Sequence, residues 1–255
     1  MDGSDDLVRK SVESIVRNKT KEKLVFILAT DGGQIEPVRR IVEVLRRYFT
    51  TVDFIIPNYA YSAGTILAMS GDAIHMDYYS RLGPIDPQVP NNSGHFVPAV
   101  GYLEKYKKLM EKANAGTATM AEMTLLLQGF DQAELYFYEQ ALELSVMLLK
   151  EWLVKYKFKN WTVTETRKIP VTDDMKIQRA EEIGRELNNA EKWKVHGHGI
   201  SMEVLREMKV TIDDFGQDAD LSDNIRNYNE LLSDFMIKIG AKGVVHFSDN
   251  FTPFM

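Results

Sequence analysis

The chain has 255 residues and no cysteine. Disulfides, thiol catalysis and cysteine-ligated zinc or iron–sulfur centres are excluded, and a reducing compartment fits. A basic surplus is also missing. Thirty-one Lys and Arg face 37 Asp and Glu, a formal charge of −6, so sequence-independent nucleic-acid binding has no electrostatic footing. No long apolar run occurs either. The longest uncharged stretch, Phe54 to Gly71, contains Pro57, Asn58, Tyr59, Ser62, Gly64 and Ser70. It reads as buried core with a turn inside, not as a membrane span. Residues 1–23 are dotted with charge (Asp2, Asp5, Asp6, Arg9, Lys10, Glu13, Arg17), which predicts no signal peptide and a cytoplasmic location.

What is present suits a globular protein, with 44% hydrophobic and 27% charged residues, enough for a sizeable core. Leu24 to Ala29 is a continuous apolar run of strand length, the pattern of a strand covered on both faces of a parallel sheet. Glu36 to Tyr48 reads as a helix, with Val38, Ile41, Val42 and Leu45 on one face. Val52 to Ile56 is a second strand stopped by Pro57, Ser62 to Ser70 a short apolar helix, and Ala73 to Met76 a third strand. This alternation predicts an α/β fold with a parallel sheet. Pro90 to Pro98 reads as a loop. Helices follow at 101–115, 131–157 and 173–188, then a Gly/His-rich segment at 193–200 and a short helix at 201–208. Residues 210–212 read as extended, 223–239 as a final helix and 244–247 as a last strand. No repeat, low-complexity tract or long linker interrupts the chain. A single domain over residues 1–255 with a helix-rich excursion or interface arm at roughly 100–190 is the simplest organisation.

Two turns could carry chemistry. Thr30-Asp31-Gly32-Gly33 lies between a strand and a helix, where glycines let the backbone approach a ligand. It is neither a dinucleotide fingerprint nor a P-loop. Tyr59-Ala60-Tyr61-Ser62-Ala63-Gly64-Thr65 runs from a strand into a helix and has the shape of a nucleophile elbow, with Ala60 where the usual pattern has glycine. Ser62 as a plain helix cap is the other reading. In a parallel sheet both turns fall at the carboxyl edge, where the N–H groups of Gly33 and Ala63 could flank an oxyanion beside Ser62.

Leu28-Ala-Thr-Asp-Gly-Gly33, Pro57-Asn-Tyr-Ala-Tyr-Ser-Ala-Gly-Thr65 and Leu82-Gly-Pro-Ile-Asp-Pro-Gln88 together resemble the prokaryotic serine dehydrogenase proteinase family. That family is similar to signal peptide peptidase A and belongs to the Clp protease/crotonase superfamily. The resemblance is dense over residues 24–90 and fainter at 196–210. It implies a Clp/crotonase-like spiral of ββα units, Ser62 as nucleophile, Gly33 and Ala63 as oxyanion hole, and homo-oligomers that sequester their sites. It also implies peptides or unfolded protein segments as substrate, with no cofactor and no metal. Gly32, Tyr61, Asp86 and His198 are candidate cleft residues.

The base is open. Where Clp-type relatives carry a histidine, this chain has Ile85-Asp86-Pro87. Signal-peptide-peptidase relatives use a lysine, which must be desolvated to be neutral. Their range covers Lys105, Lys107, Lys108 and Lys112. Lys112 is the first expectation, because it ends its helix beside Ala113-Asn-Ala-Gly116, and Lys108 is the second. His75 reads as structural, and His95 falls in a loop. His196 and His198, in a Gly-flanked segment, offer a histidine base in another triad order, or two metal ligands without an evident third. Two other functions stay in view: an inactive scaffold or peptide-binding protein of the same fold, and a crotonase-type enzyme acting on acyl-coenzyme A.

Overall fold

The computed structural model describes residues 3–16, 21–91, 93–247 and 250–254. The order is α1 (Ser4–Val16), β1 (Lys21–Ile27), α2 (Ile35–Tyr48), β2 (Phe49–Ile55), β3 (Tyr59–Ala60), α3 (Ala63–Met69), β4 (Ala73–Met76), β5 (Arg81–Leu82), β6 (Gln88–Pro90) and β7 (Phe96–Pro98). Helices α4 (Ala99–Asn114), α5 (Met120–Gln128), α6 (Gln132–Trp152), α7 (Asp173–Leu187), α8 (Ala190–Trp193) and α9 (Met202–Glu207) follow. The chain then forms β8 (Asp213–Asp214), α10 (Ala219–Ile239), β9 (Gly243–Phe247) and β10 (Asn250–Phe254).

The main sheet is parallel throughout, in the order β1-β2-β4-β8. Helix α2 presents Val38, Ile41, Val42 and Leu45 to the core, as its spacing predicts. Its opposite face is charged, but Arg46 is drawn in beside Asp72 and lies 3.7 Å over the Tyr156 ring. Phe54, Ile66, Leu67, Met69, Ile74 and Leu82 are fully buried between sheet and helices. Each such side chain contributes roughly 1.5–3 kcal/mol by leaving water. Helix α6 packs against both α3 and α7, and Leu149, Leu153 and Ile183 are fully buried in the same core.

Several local expectations change. The apolar run at 24–29 is not covered on both faces: β1 is the sheet edge, and Val25 and Ile27 stand 48% and 41% exposed. A continuous apolar run cannot report which strand is central, because strand order is a tertiary property. The helix expected to reach Lys157 ends as α-helix at Trp152 and continues as one wide π-turn, Leu153–Lys157. That turn rotates the side chains off the 3.6-residue stripe. Segment 90–98 is not a plain loop, since β6 and β7 pair antiparallel across it. The strand at 244–247 forms, but in a hairpin with β10 apart from the main sheet.

Candidate active site

The site is assembled where β1 and β2 end. Pro57 cannot donate to a ladder, so β2 stops before it. The chain then re-enters pairing as β3, alongside β5 on one side and Thr30 on the other. Thr30 N–H donates to the Tyr59 carbonyl at 3.1 Å, and Tyr61 N–H donates to the Thr30 carbonyl at 3.0 Å. These two bonds set the Gly32-Gly33 turn against the Ser62 turn. Contact is so close that a Cβ built on Gly32, at φ +105°, would lie 2.7 Å from the Tyr61 carbonyl oxygen and 2.8 Å from Ser62 Cβ.

Ser62 occupies the N-cap position of α3, but no side-chain bond caps the helix. Its backbone is at φ 55°, ψ −121°, a region that non-glycine residues avoid. Such strain costs on the order of 1–3 kcal/mol and persists only where the surroundings impose it. The plain-cap reading therefore loses its stabilising bond and leaves the strain unexplained. Among the described residues, neither the Gly33 nor the Ala63 N–H has an acceptor. Both belong to the turns that meet at Ser62.

A third segment locks onto this corner. Thr65, fully buried, has its hydroxyl 2.8 Å from the Ala60 carbonyl and 2.9 Å from the Gly83 carbonyl, and it accepts the Gly83 N–H at 2.9 Å. Gly83 lies so near Tyr61 that a Cβ there would come within 2.7 Å of the ring. Tyr61 in turn stacks on Tyr59 at 4.8 Å. Burial, then the nearby Asp31 carboxylate, push the Tyr59 phenol up. Leu82 and Ile200 exchange backbone bonds, which brings the Gly/His-rich segment onto the same corner.

Here lies a pair that sequence reading kept apart. His196 Nδ1 is 2.8 Å from Oδ1 of Asp86, whose other oxygen accepts from Gln88 Nε2 at 2.7 Å. Asp86 is 1% exposed and His196 half-buried. Asp86 stands three residues beyond Gly83, which packs on Tyr61, the residue before Ser62. In the tautomer that donates Nδ1–H to this carboxylate, Nε2 is the accepting ring nitrogen.

The other candidates lie elsewhere. Lys105, Lys107, Lys108 and Lys112 are all exposed on α4, and Lys112 is ion-paired with Glu122, whose carboxyl it pulls down to about 2. An exposed, paired ammonium lacks the desolvation that makes a lysine a base. His198 is exposed and tilts over Trp193 at 5.3 Å. His75 sits on the sheet between Asp53 and Asp213, at 3.9 and 3.8 Å. His95 is exposed in the β6–β7 turn. Among the described residues no cluster of three or more His, Asp or Glu could hold a metal, and no helix is long and apolar enough to cross a membrane.

Comparison with known proteins then places the chain. The model of the ClpP-like SDH-type serine proteinases matches residues 4–162. The chain belongs to this family. Its fold is the Clp/crotonase-like one, and the family is one of proteases. Similar curated proteins include the uncharacterized proteins MJ1495 and MJ0137 of Methanocaldococcus jannaschii. They are 29% identical over 67% of this chain and 28% identical over 64% of it. Those matches take in 54% and 57% of the relatives, so the chain spans about half the length of the curated proteins it matches. Among solved structures, a mutant of the 1510-N membrane-bound stomatin-specific protease in complex with a substrate peptide is similar. It shows a TM-score of 0.45 and 15% identity over 98% of this chain and 80% of that one. The SDH-type match ends at 162, so the His196 segment lies beyond it.

Proposed function

We propose that this chain is a serine endopeptidase that cleaves peptide bonds through an acyl-enzyme on Ser62. His196 serves as general base and Asp86 orients it. The observation that carries the reading is the strained backbone of Ser62 at the mouth of α3, pressed against Gly32 and without a capping bond. Ser62 Oγ attacks the carbonyl carbon while its proton passes to His196 Nε2. Charge on the carbonyl oxygen is met by the Gly33 and Ala63 N–H groups. When the C–N bond breaks, His196 returns the proton to the leaving amine. Water, deprotonated by the same imidazole, then hydrolyses the ester.

His196 is preferred to Lys112 and Lys108 because it is half-buried beside a buried carboxylate, whereas both lysines are exposed. The substrate proposed is a peptide or an unfolded segment of a protein. Assembly into homo-oligomers remains part of this reading, resting on the family alone. The deciding experiment is labelling with a fluorophosphonate probe, read by intact mass, on wild type and Ser62→Ala. One adduct on wild type and none on the variant is expected. No adduct on folded wild type moves the assignment to a peptide-binding scaffold.

A further inference from the structure

Asp77, just past the end of β4, is fully buried. One of its carboxylate oxygens accepts the Tyr79 and Ser80 N–H groups at 2.9 and 3.0 Å. The Ser80 hydroxyl accepts the Asp77 N–H at 3.0 Å and donates to the Ile56 carbonyl, where β2 has just ended. The other carboxylate oxygen takes the Arg226 guanidinium, which arrives from α10 through Nη2 and Nε. Burial raises the pKa of the Asp77 carboxyl, but the guanidinium and the turn's N–H groups outweigh it and hold the carboxyl below its ordinary value. A carboxylate so placed must keep its cation, because a buried charge left unpaired is strongly destabilising.

The turn that Asp77 organises leads into the candidate site. Arg81 N–H donates to the Asn58 carbonyl at 2.7 Å, and Arg81 and Leu82 pair as β5 with Tyr59 and Ala60 of β3. Leu82 exchanges backbone bonds with Ile200, on the segment that carries His196. Gly83 bonds to Thr65 and packs on Tyr61. A continuous series of bonded groups thus runs from Arg226 to the residue before Ser62. Helix α10 has a short grip on the rest of the chain. Ser222 and Ile225 are its buried residues, both in the turn that ends at Arg226, while Leu231 and Ile237 stand 71% and 78% exposed. The Asp77 pair therefore lies where the helix is seated.

We propose that Arg226 is a positioning residue for the Ser62 corner. Through Asp77 it holds the 77–80 turn. That turn places β5, and β5 places both β3, which leads to Ser62, and the Ile200 segment, which follows His196. The inference rests on the reading of Ser62 as nucleophile and adds that the reactivity of Ser62 depends on how α10 is seated.

The test separates a placed corner from a merely stable fold. Fluorophosphonate labelling of Ser62 is followed against probe concentration, well below every melting temperature, on wild type and three variants. Arg226→Gln removes the cation and is expected to lower the limiting labelling rate by about tenfold or more, with the half-saturating probe concentration unchanged. Arg226→Lys keeps the charge and should label faster than Arg226→Gln. The double variant Arg226→Gln/Asp77→Asn buries no unpaired charge, so it isolates loss of the tie and carries the test even where Arg226→Gln fails to fold. Its limiting rate is expected to fall by about threefold or more. A double variant that melts lower but labels at the wild-type rate overturns the proposal and leaves the pair as a fold anchor. Failure of the nucleophile reading shows separately, as a folded wild type that does not label. Amide exchange then decides the coupling. Faster exchange at Arg81 and Leu82 in the double variant than in wild type keeps it, and equal exchange removes it.

Discussion

His196 reaches across 110 positions of sequence to set its Nδ1 2.8 Å from the buried carboxylate of Asp86. A buried carboxylate in that position does two things. It fixes the ring's tautomer and orientation, and it stabilises the imidazolium that forms when the ring accepts a proton. Replacing it with an amide keeps the shape and removes both. Asp86→Asn is therefore expected to lower kcat/KM on a peptide ester by ~10²–10⁴-fold, with His196→Ala at least as severe. Stopped-assay kinetics on both variants check this. A loss under threefold for Asp86→Asn would remove the pair from the mechanism.

Gly32 is expected to tolerate no side chain. At φ +105° a Cβ meets the Tyr61 carbonyl and Ser62 Cβ inside 3.0 Å, and backbone cannot yield as a flexible side chain would. Gly32→Ala should cost about 1–3 kcal/mol of stability. It should also displace Ser62 enough to suppress fluorophosphonate labelling. Urea melts and labelling rates, measured on the same sample, distinguish a shifted turn from an unfolded chain.

Thr65 ties three segments through one hydroxyl. Thr65→Val leaves the buried Gly83 N–H without its acceptor, a loss of about 1–3 kcal/mol, while Thr65→Ser keeps the bond. For a chain of this size each kcal/mol lowers the melting temperature by roughly 2–4 °C. Calorimetry on both variants should show the drop for valine and near wild-type behaviour for serine.

Lys157, half-buried at the end of the π-turn, gives a pH-dependent contribution of predictable sign. Burial lowers its pKa from the ordinary 10.5 to about 8, against the pull of Asp213, Asp53 and Asp72. Between those values the unfolded chain holds the proton and the folded chain does not, so stability rises with pH across that window. The contribution is complete above pH 10.5 and is lost as pH falls through 8. Lys157→Met is thus expected to be more stable than wild type at pH 7, with the gap closing towards pH 10. Urea titrations at each pH follow the difference. A gap that stays constant over that range would show that Lys157 is not perturbed.

The helix faces and strand runs of residues 24–76 could be read from the chain because they depend on local spacing. A 3.6-residue stripe such as Val38, Ile41, Val42 and Leu45 has one way to be buried. The Ser62 turn was legible for the same reason: small residues cluster between an apolar strand and an apolar helix. Spacing does not encode exposure or partners across the fold. Nothing local says that β1 lies at the sheet edge, that β9 turns back on β10, or that the lysines of α4 remain in solvent. The join between Asp86 and His196 is of that kind. Each residue sat in a segment marked as a candidate, but only the packing of β5 against Ile200 and of Gly83 against Thr65 and Tyr61 brings the carboxylate and the imidazole together. The sequence by itself determined which residues could do chemistry. The tertiary structure decided which of them share a corner, because contacts over such separations are set by how the whole chain packs and not by any local period.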